Sequence, residues 1–462
     1  MKKYFRSLSL VSCWIMAIVF TWTVLNIGNF KEWRSPISYD VTNYYCYLPA
    51  IFVEGDLALK FYDVHPEWFV NKYAPNKAPN GSNVIKMTMG LSFYYAPFFF
   101  IAHGYAMIFD NPDGYSSPYR LMLLLGTVFF SVLGLFYLRK LLLLYFAEGA
   151  ATLVLLSLGI GTNLFYYTVH EPMSHAYLFF TFVIIMYYTV QWHRLPSLKD
   201  AARIGFFSGL AILIRPTDGI ILLIPLLYSV TSIATLQTKL ALLITHWKHV
   251  MLLGIALFIP ISFQLIYWKM VTGQWIFFSY VGEGFLWNDP EIWNGLFSYR
   301  KGWFLYTPII SFAFLGFFFL YRYCRDFFVP ILLFTIINIY VVLSWWSWWY
   351  GGSFGLRSFI ESYALLAIPM GACYQWLLKY KWSTLLLVAV IILLSTVNQI
   401  QTYQYRHYYI HWDAQTKAAY WYIFLKMNLT EEEKKTLSTL QEPPPWQRYE
   451  QLQQKQMQES KK

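Results

Sequence analysis

Charged side chains are scarce in this chain. Asp, Glu, Lys and Arg make up 13% of its 462 residues, where a soluble globular domain carries about a quarter. Cysteine is scarcer still. Cys13, Cys46, Cys324 and Cys373 are too few and too scattered for a disulfide framework or a zinc site. The sequence has no Walker phosphate loop and no dinucleotide fingerprint, so a soluble nucleotide is not expected as donor or cofactor. No repeat of solenoid period is visible.

What fills the chain is apolar and aromatic: 57% of its residues are hydrophobic and 21% are Phe, Trp or Tyr. Apolar runs lie at approximately 8–28, 89–109, 118–138, 149–168, 172–192, 203–214, 219–235, 249–271, 303–321, 327–345, 359–378 and 382–400. Most are close to the ~20 residues that cross ~30 Å of hydrocarbon. The expected fold class is an all-α polytopic membrane protein. The first run, behind Met1-Lys2-Lys3, is long and lacks a small-residue cleavage site, so an uncleaved span is expected.

The net charge is +11, but the basic residues come in small groups between the runs. Such groups are topology signals and give no reason to expect a nucleic-acid partner. With Lys2, Lys3 and Arg6 inside, the loop 29–88 falls outside. If 89–109 dips in and returns, or lies along the interface, Arg139, Lys140, Arg194, Lys239, Lys248, Arg322 and Lys379 all face the cytoplasm. That gives about eleven spans (roughly ten to thirteen), with the N-terminus inside and the C-terminus outside.

The long loops then lie on the outer face. Loop 29–88 carries Trp33, Tyr62, Trp68 and Tyr73 among prolines and charges, which suits short amphipathic helices on the membrane surface. Residues 1–400 are expected to form the membrane domain. Residues 401–427 remain aromatic, 428–462 are polar, and together they form an outer C-terminal tail.

In the first outer loop, Asp40 stands beside Tyr44 and Tyr45. A carboxylate held just above the bilayer suits a general base that takes a proton from an acceptor hydroxyl; the plainer reading is a helix cap. Ionisable groups also sit at the outer ends of later runs: Arg120, the turn from His170 and Glu171 to His175, Arg215 before Pro216, and Arg357. Groups at that depth are costly and commonly functional. Guanidinium forks match phosphate oxygens, though each arginine could equally pair with a nearby carboxylate. His170, Glu171 and His175 do not make a His-Glu-x-x-His zinc motif, because the second His is one residue late and Pro172 intervenes. No bound metal is expected, although a divalent ion on Glu171, the histidines and Asp40 is an alternative the residues leave open. Trp348, Trp349 and Tyr350, running into Gly351-Gly352, suit either a membrane-interface belt or a stacking surface for sugar rings.

Together these residues resemble the integral membrane glycosyltransferases of the GT-C type, the class of the protein O-mannosyltransferases and the lipid A aminoarabinose transferase. Asp40 matches the acidic residue of their first outer loop, and Arg120 in Ser117-Pro118-Tyr119-Arg120 matches the Arg at the head of a following span. Gly209-Leu210-Ala211 through Arg215-Pro216 matches a mid-chain segment. The run Tyr350-Gly351-Gly352-Ser353-Phe354-Gly355, followed by Arg357, resembles uncharacterised bacterial members. Two features depart from the class. Asp40 has no acidic neighbour, and Met87-Thr88-Met89-Gly90 stands where a His-Pro-Pro-Leu-like segment is usual.

The resemblance implies a GT-C bundle in a bacterial inner membrane. It would carry a sugar from a polyprenyl-phosphate donor to an acceptor (protein, lipid or glycan) on the periplasmic face, with inversion. Asp40 would be the base; Arg120, Arg215, Arg357 and His170 would hold the donor phosphate. Tyr44, Tyr45, Glu171, His175, Trp348, Trp349 and Tyr350 would line the substrate site. The competing expectations are a flippase for a lipid-linked saccharide and a non-catalytic scaffold of an envelope assembly.

Overall fold

The computed structural model describes residues 7–32, 36–64, 75–280 and 282–459, and helix dominates throughout. The N-terminal part holds α1 (Leu8–Ile27), α2 (Tyr39–Tyr45), α3 (Tyr47–Phe52), α4 (Lys60–Val64), α5 (Gly90–Phe109) and α6 (Ser117–Leu142). Next come α7 (Glu148–Gly161), α8 (Leu164–Val169), α9 (Ser174–Arg194), α10 (Leu198–Ile214), α11 (Leu223–Leu227), α12 (Ile233–Thr245) and α13 (Trp247–Thr272). The chain continues through α14 (Ile292–Phe297), α15 (Trp303–Tyr306), α16 (Ser311–Tyr323), α17 (Arg325–Leu343), α18 (Tyr363–Leu377) and α19 (Lys381–Arg406). It closes with α20 (Lys417–Ile423), α21 (Glu431–Leu440) and α22 (Trp446–Glu459). One antiparallel hairpin, β1 (Asn76–Lys77) with β2 (Asn83–Val84), interrupts the pattern.

Among the described residues, five helices are long and apolar enough to cross a membrane: α1, α6, α13, α17 and α19. Several of the apolar runs take other forms than expected. Run 89–109, expected to dip in and return or to lie along the interface, is one unbroken helix, α5, that carries Pro97 in its interior, so it does not dip and return. Run 149–168 is broken at Thr162, whose backbone is extended, into α7 and α8. Run 219–235 is not one continuous helix. A 3₁₀ segment, Pro216–Leu222, leads into the five residues of α11, and α12 starts afresh behind a Ser232 cap. Proline explains part of this, since Pro216 and Pro308 both open 3₁₀ turns, and proline cannot sit inside a regular helical ladder without breaking a hydrogen bond.

The chain divides into two compact units, Cys13–Leu138 with Tyr167–Val281, and Met1–Ser12 with Arg139–Tyr166 and Gly282–Lys462. In the first unit α10 packs on both α9 and α13. Gly205 and Gly209 make the α13 contact possible: a Cβ on either would strike the Leu253 or Leu257 carbonyl. This is close packing through small residues spaced four apart, the usual solution where apolar helices meet. A core cluster of Cys46, Tyr47, Val84, Ile85, Leu213 and Tyr267 joins α3, the hairpin, α10 and α13.

Loop 29–88 contains short helices, as its composition suggests, but most of α2 and most of α3 are buried; Tyr39, Ile51 and Phe52 are exposed. The hairpin was not expected. It is anchored by Asn76 Nδ2 donating to the Ser279 carbonyl at 2.5 Å and Asn80 Nδ2 donating to that of Val271 at 2.9 Å. Trp33, Trp68 and Tyr73 lie outside the described residues.

In the second unit Gly316 brings α16 against the Pro369 carbonyl of α18, and α7 packs on α18 and α19. Glu148 accepts from the Ser9 amide and hydroxyl at 2.8 and 2.6 Å, while Arg139 Nε donates to the same hydroxyl at 2.7 Å. Helix α19 runs past residue 400 to Arg406. The segment beyond it folds back: Arg300 donates to the Asp413 and Glu442 carbonyls, and the Glu442 amide donates to Ala414 at 2.9 Å.

Candidate functional site

Asp40 occupies the first turn of α2 and is partly exposed. Just before it, Tyr39 sits in the left-handed region at φ 48° with three quarters of its surface open. A non-glycine residue there carries a strain of about 1–3 kcal/mol, which neighbouring contacts must offset. Those contacts follow immediately. The Ser92 hydroxyl donates to the Tyr44 carbonyl at 2.5 Å, and the Tyr45 hydroxyl donates to that of Gly114 at 2.5 Å. Tyr45 also meets Tyr95 edge-on, with ring centroids 6.1 Å apart. Tyr44 and Tyr45 are both buried. Burial pushes the Tyr45 phenol well above its ordinary range, so it remains a neutral donor and fixes the helix that carries Asp40.

A second group of contacts gathers around the 3₁₀ turn Asn29–Lys31 that follows α1. Arg120 Nε donates to the Phe30 carbonyl at 2.8 Å, and Asn29 Nδ2 donates to the His170 carbonyl at 3.1 Å. Arg120 and His170, fifty residues apart, are thus tied to consecutive residues of one turn, and both are buried. The helix is broken between Val169 and Ser174, as Pro172 suggests. The Met173 amide donates to the Glu171 carbonyl at 2.7 Å, and the Tyr95 hydroxyl donates to the Pro172 carbonyl. Tyr95 therefore links this turn to Tyr45 of α2.

His175, in the first turn of α9, is buried; its Nδ1 lies 3.5 Å from Arg215 Nη1. A guanidinium can only donate, so the facing Nδ1 carries the lone pair and Nε2 the proton. Arg215 leaves the helix because Pro216 follows: the residue before proline is pushed to extended backbone, and Arg215 has φ −144° and ψ 111°. The segment that departs from the GT-C pattern braces this exit. The Thr88 hydroxyl donates to the Leu213 carbonyl, the Met89 amide donates to Gln264 Oε1 at 2.8 Å, and a Cβ on Gly90 would strike Ile214. Sequence reasoning missed Gln264, whose signal was an amide inside an apolar run; it is 1% exposed.

Asp40, Arg120, His170, Glu171, His175 and Arg215 therefore all belong to one unit. Direct contacts join the segments that carry them. Among the described residues no three His, Cys, Asp or Glu side chains gather as metal ligands.

Arg357 belongs to the other unit and opens a 3₁₀ turn, Arg357–Phe359. Trp348 and Trp349 do not present open faces. Both are buried: Trp349 packs on Trp446 at 4.6 Å and on Tyr449 at 5.2 Å. Trp348 Nε1 donates to the Tyr449 hydroxyl at 3.1 Å, which itself donates to Glu291 at 2.7 Å. The aromatic surface expected for a sugar is covered here by α22. Tyr350, at φ 56°, is anchored through its hydroxyl to the Val342 carbonyl at 2.9 Å.

Sequence reasoning also missed Lys301. It is 1% exposed and donates to the Ser353 and Trp412 carbonyls, which fixes the backbone leading to Arg357. Its signal was a basic pair, Arg300-Lys301, directly ahead of the apolar run at 303–321. No known protein-family model and no curated protein matches this sequence.

Proposed function

We propose that the chain is a GT-C-type glycosyltransferase of a bacterial inner membrane, with about eleven spans, its N-terminus in the cytoplasm and its C-terminus in the periplasm. On this reading the Asp40 carboxylate takes the proton of an acceptor hydroxyl as the oxygen attacks the anomeric carbon of a polyprenyl-phosphate sugar. The new glycosidic bond forms with inversion, the bond from the anomeric carbon to phosphate oxygen breaks, and polyprenyl phosphate departs. Arg120 and Arg215, together with His170, neutralise the charge left on that phosphate. Neutral His175 keeps one edge of Arg215 directed.

One observation carries this reading. An acid, two arginines and a histidine-bearing turn, drawn from the residue span 40–215, belong to one unit in which contacts through Asn29, Phe30, Tyr45, Tyr95 and Thr88 fix the segments that carry them. A bundle that needed only apolar packing would have no use for so many polar braces on ionisable segments.

The test is product chemistry. Reconstituted protein given a radiolabelled polyprenyl-phosphate sugar and an acceptor extract should release free polyprenyl phosphate as label enters the acceptor. Movement of the intact donor across the bilayer, without release, would make the chain a flippase and end this reading. Removing the Arg215 guanidinium, as Arg215→Ala, should lower kcat by about 100-fold or more, the range seen when one preorganised donor to developing charge is lost. An unchanged kcat would remove Arg215 from the site.

A further inference from the structure

Helix α12 has its polarity reversed. The residue it buries is a lysine, Lys239, at 5% exposure, while Ile233, Leu236, Leu240 and Ile244 stand 38–79% exposed. Lys239 Nζ points inward, donating to the Pro225 carbonyl at 2.8 Å, the Tyr228 carbonyl at 3.5 Å and His193 Nε2. His193 can receive it because its Nδ1 lies 2.7 Å from the Thr189 carbonyl, which fixes the proton on Nδ1. The lysine thus pegs α12 to the carbonyl end of α11. The four exposed apolar residues recur at helical spacing and form one stripe. Thr238 and Thr245, also exposed, lie on a different side.

In water this arrangement would cost α12 the free energy of leaving four large aliphatic side chains hydrated. Its 13 residues reach only ~20 Å, too short to cross ~30 Å of hydrocarbon. It begins with a capping box between Ser232 and Thr235, and both cap residues carry hydroxyls suited to a wet boundary. After the single residue His246 it leads into α13, one of the helices able to cross a membrane, whose first turns expose Trp247 and Met251. The apolar stripe of α12 is therefore continuous along the chain with that of a spanning helix.

We propose that α12 is a membrane-surface helix. It lies in the plane of the interface with its aliphatic stripe among the upper acyl chains, ~5–10 Å into the headgroup boundary. Thr238 and Thr245 face the headgroups, and Lys239 holds the helix to the protein from beneath. Its partner is the lipid surface.

The test uses the full chain in lipid nanodiscs. Single cysteines at Leu236→Cys, Leu240→Cys and Thr238→Cys carry an environment-sensitive fluorophore, with Phe258→Cys in α13 as the deep reference. The four native cysteines are buried, so labelling is confined to the new thiols. Labels at 236 and 240 should lose most emission to a quencher fixed high on the lipid acyl chain and little to aqueous iodide. The label at 238 should show the opposite, and that at 258 should respond to a quencher at the acyl-chain end. Iodide quenching at 236 and 240 equal to that at 238 would put the stripe in water. Protection from every quencher would mean a protein partner covers it. Quenching that matches position 258 would make α12 part of a span. Any of these three results overturns the proposal.

Discussion

Among the described residues two lysines, Lys239 and Lys301, are buried, and each is held by carbonyl oxygens. Lys301 has lost nearly all contact with solvent, and its ammonium is met by the Ser353 and Trp412 carbonyls. Removing such a donor leaves its acceptors behind. Lys301→Met should therefore lower unfolding stability by about 2–4 kcal/mol, read as a fall in Tm in detergent. A Tm within a degree of wild type would mean the lysine is incidental.

His411, nearby in sequence to Trp412, works in the opposite sense. Its Nδ1 accepts from the Asp413 and Ala414 amides at 3.1 and 2.9 Å, which requires the neutral ring; the 3.1 Å approach of Asp413 to the same nitrogen is therefore no ion pair. Burial pulls the His411 pKa below its ordinary value, against the opposing pull of Asp413. The unfolded chain thus binds the proton more readily, so stability rises with pH up to the ordinary His range near ~6.5 and falls as pH drops below it. Thermal unfolding followed between neutral and mildly acid pH should show that loss, and His411→Gln should diminish it.

Some of this was legible in single residues. Arg215 before Pro216 announced a cation turned out of a helix, and Pro172 announced the broken turn that presents His175. The fate of Trp348 and Trp349 was not legible, because an aromatic cluster reads alike whether lipid, sugar or a distant tail helix covers it. Lys301 was hidden for a related reason: one sequence cannot tell a snorkelling lysine from one satisfied inside.

At the scale of elements, the α10–α13 contact rests on two glycines. A side chain at 209 would have to displace the Leu257 carbonyl and Pro260. Gly209→Val should cost about 1–3 kcal/mol by overpacking. Gly254, on α13, has open space where a Cβ would go, so Gly254→Ala should be neutral or slightly stabilising. Equal effects from the two substitutions, measured by thermal unfolding, would contradict this account of the interface. The long runs that became α1, α6, α13, α17 and α19 were readable from length and hydropathy alone. The runs that failed share a cause: 219–235 counts as apolar residue by residue, but Pro216 starts it as a 3₁₀ turn and Ser232 begins a new helix within it. The hairpin was invisible because its anchors, Asn76 to Ser279 and Asn80 to Val271, join residues about two hundred positions apart.

For the molecule as a whole, the two units are interleaved in sequence: the chain starts in one, passes to the other, returns, crosses again and ends where it began. The proposed base and both proposed phosphate-binding arginines belong to one unit, and Arg357 to the other. Sequence reasoning grouped them by their shared place on the outer face, Asp40 in the first outer loop and the arginines at the outer ends of later apolar runs. That grouping needs the proposed topology as well as the fold, and chemistry is what distinguishes it from packing. The decisive comparison is sugar transfer by wild type and by Asp40→Asn, each shown to be folded by an unchanged Tm, at saturating polyprenyl-phosphate sugar. The account predicts that the Asn variant still binds the donor but loses at least about 100-fold in rate, the lower end of what a general base contributes. Transfer at the wild-type rate by the folded variant would contradict it.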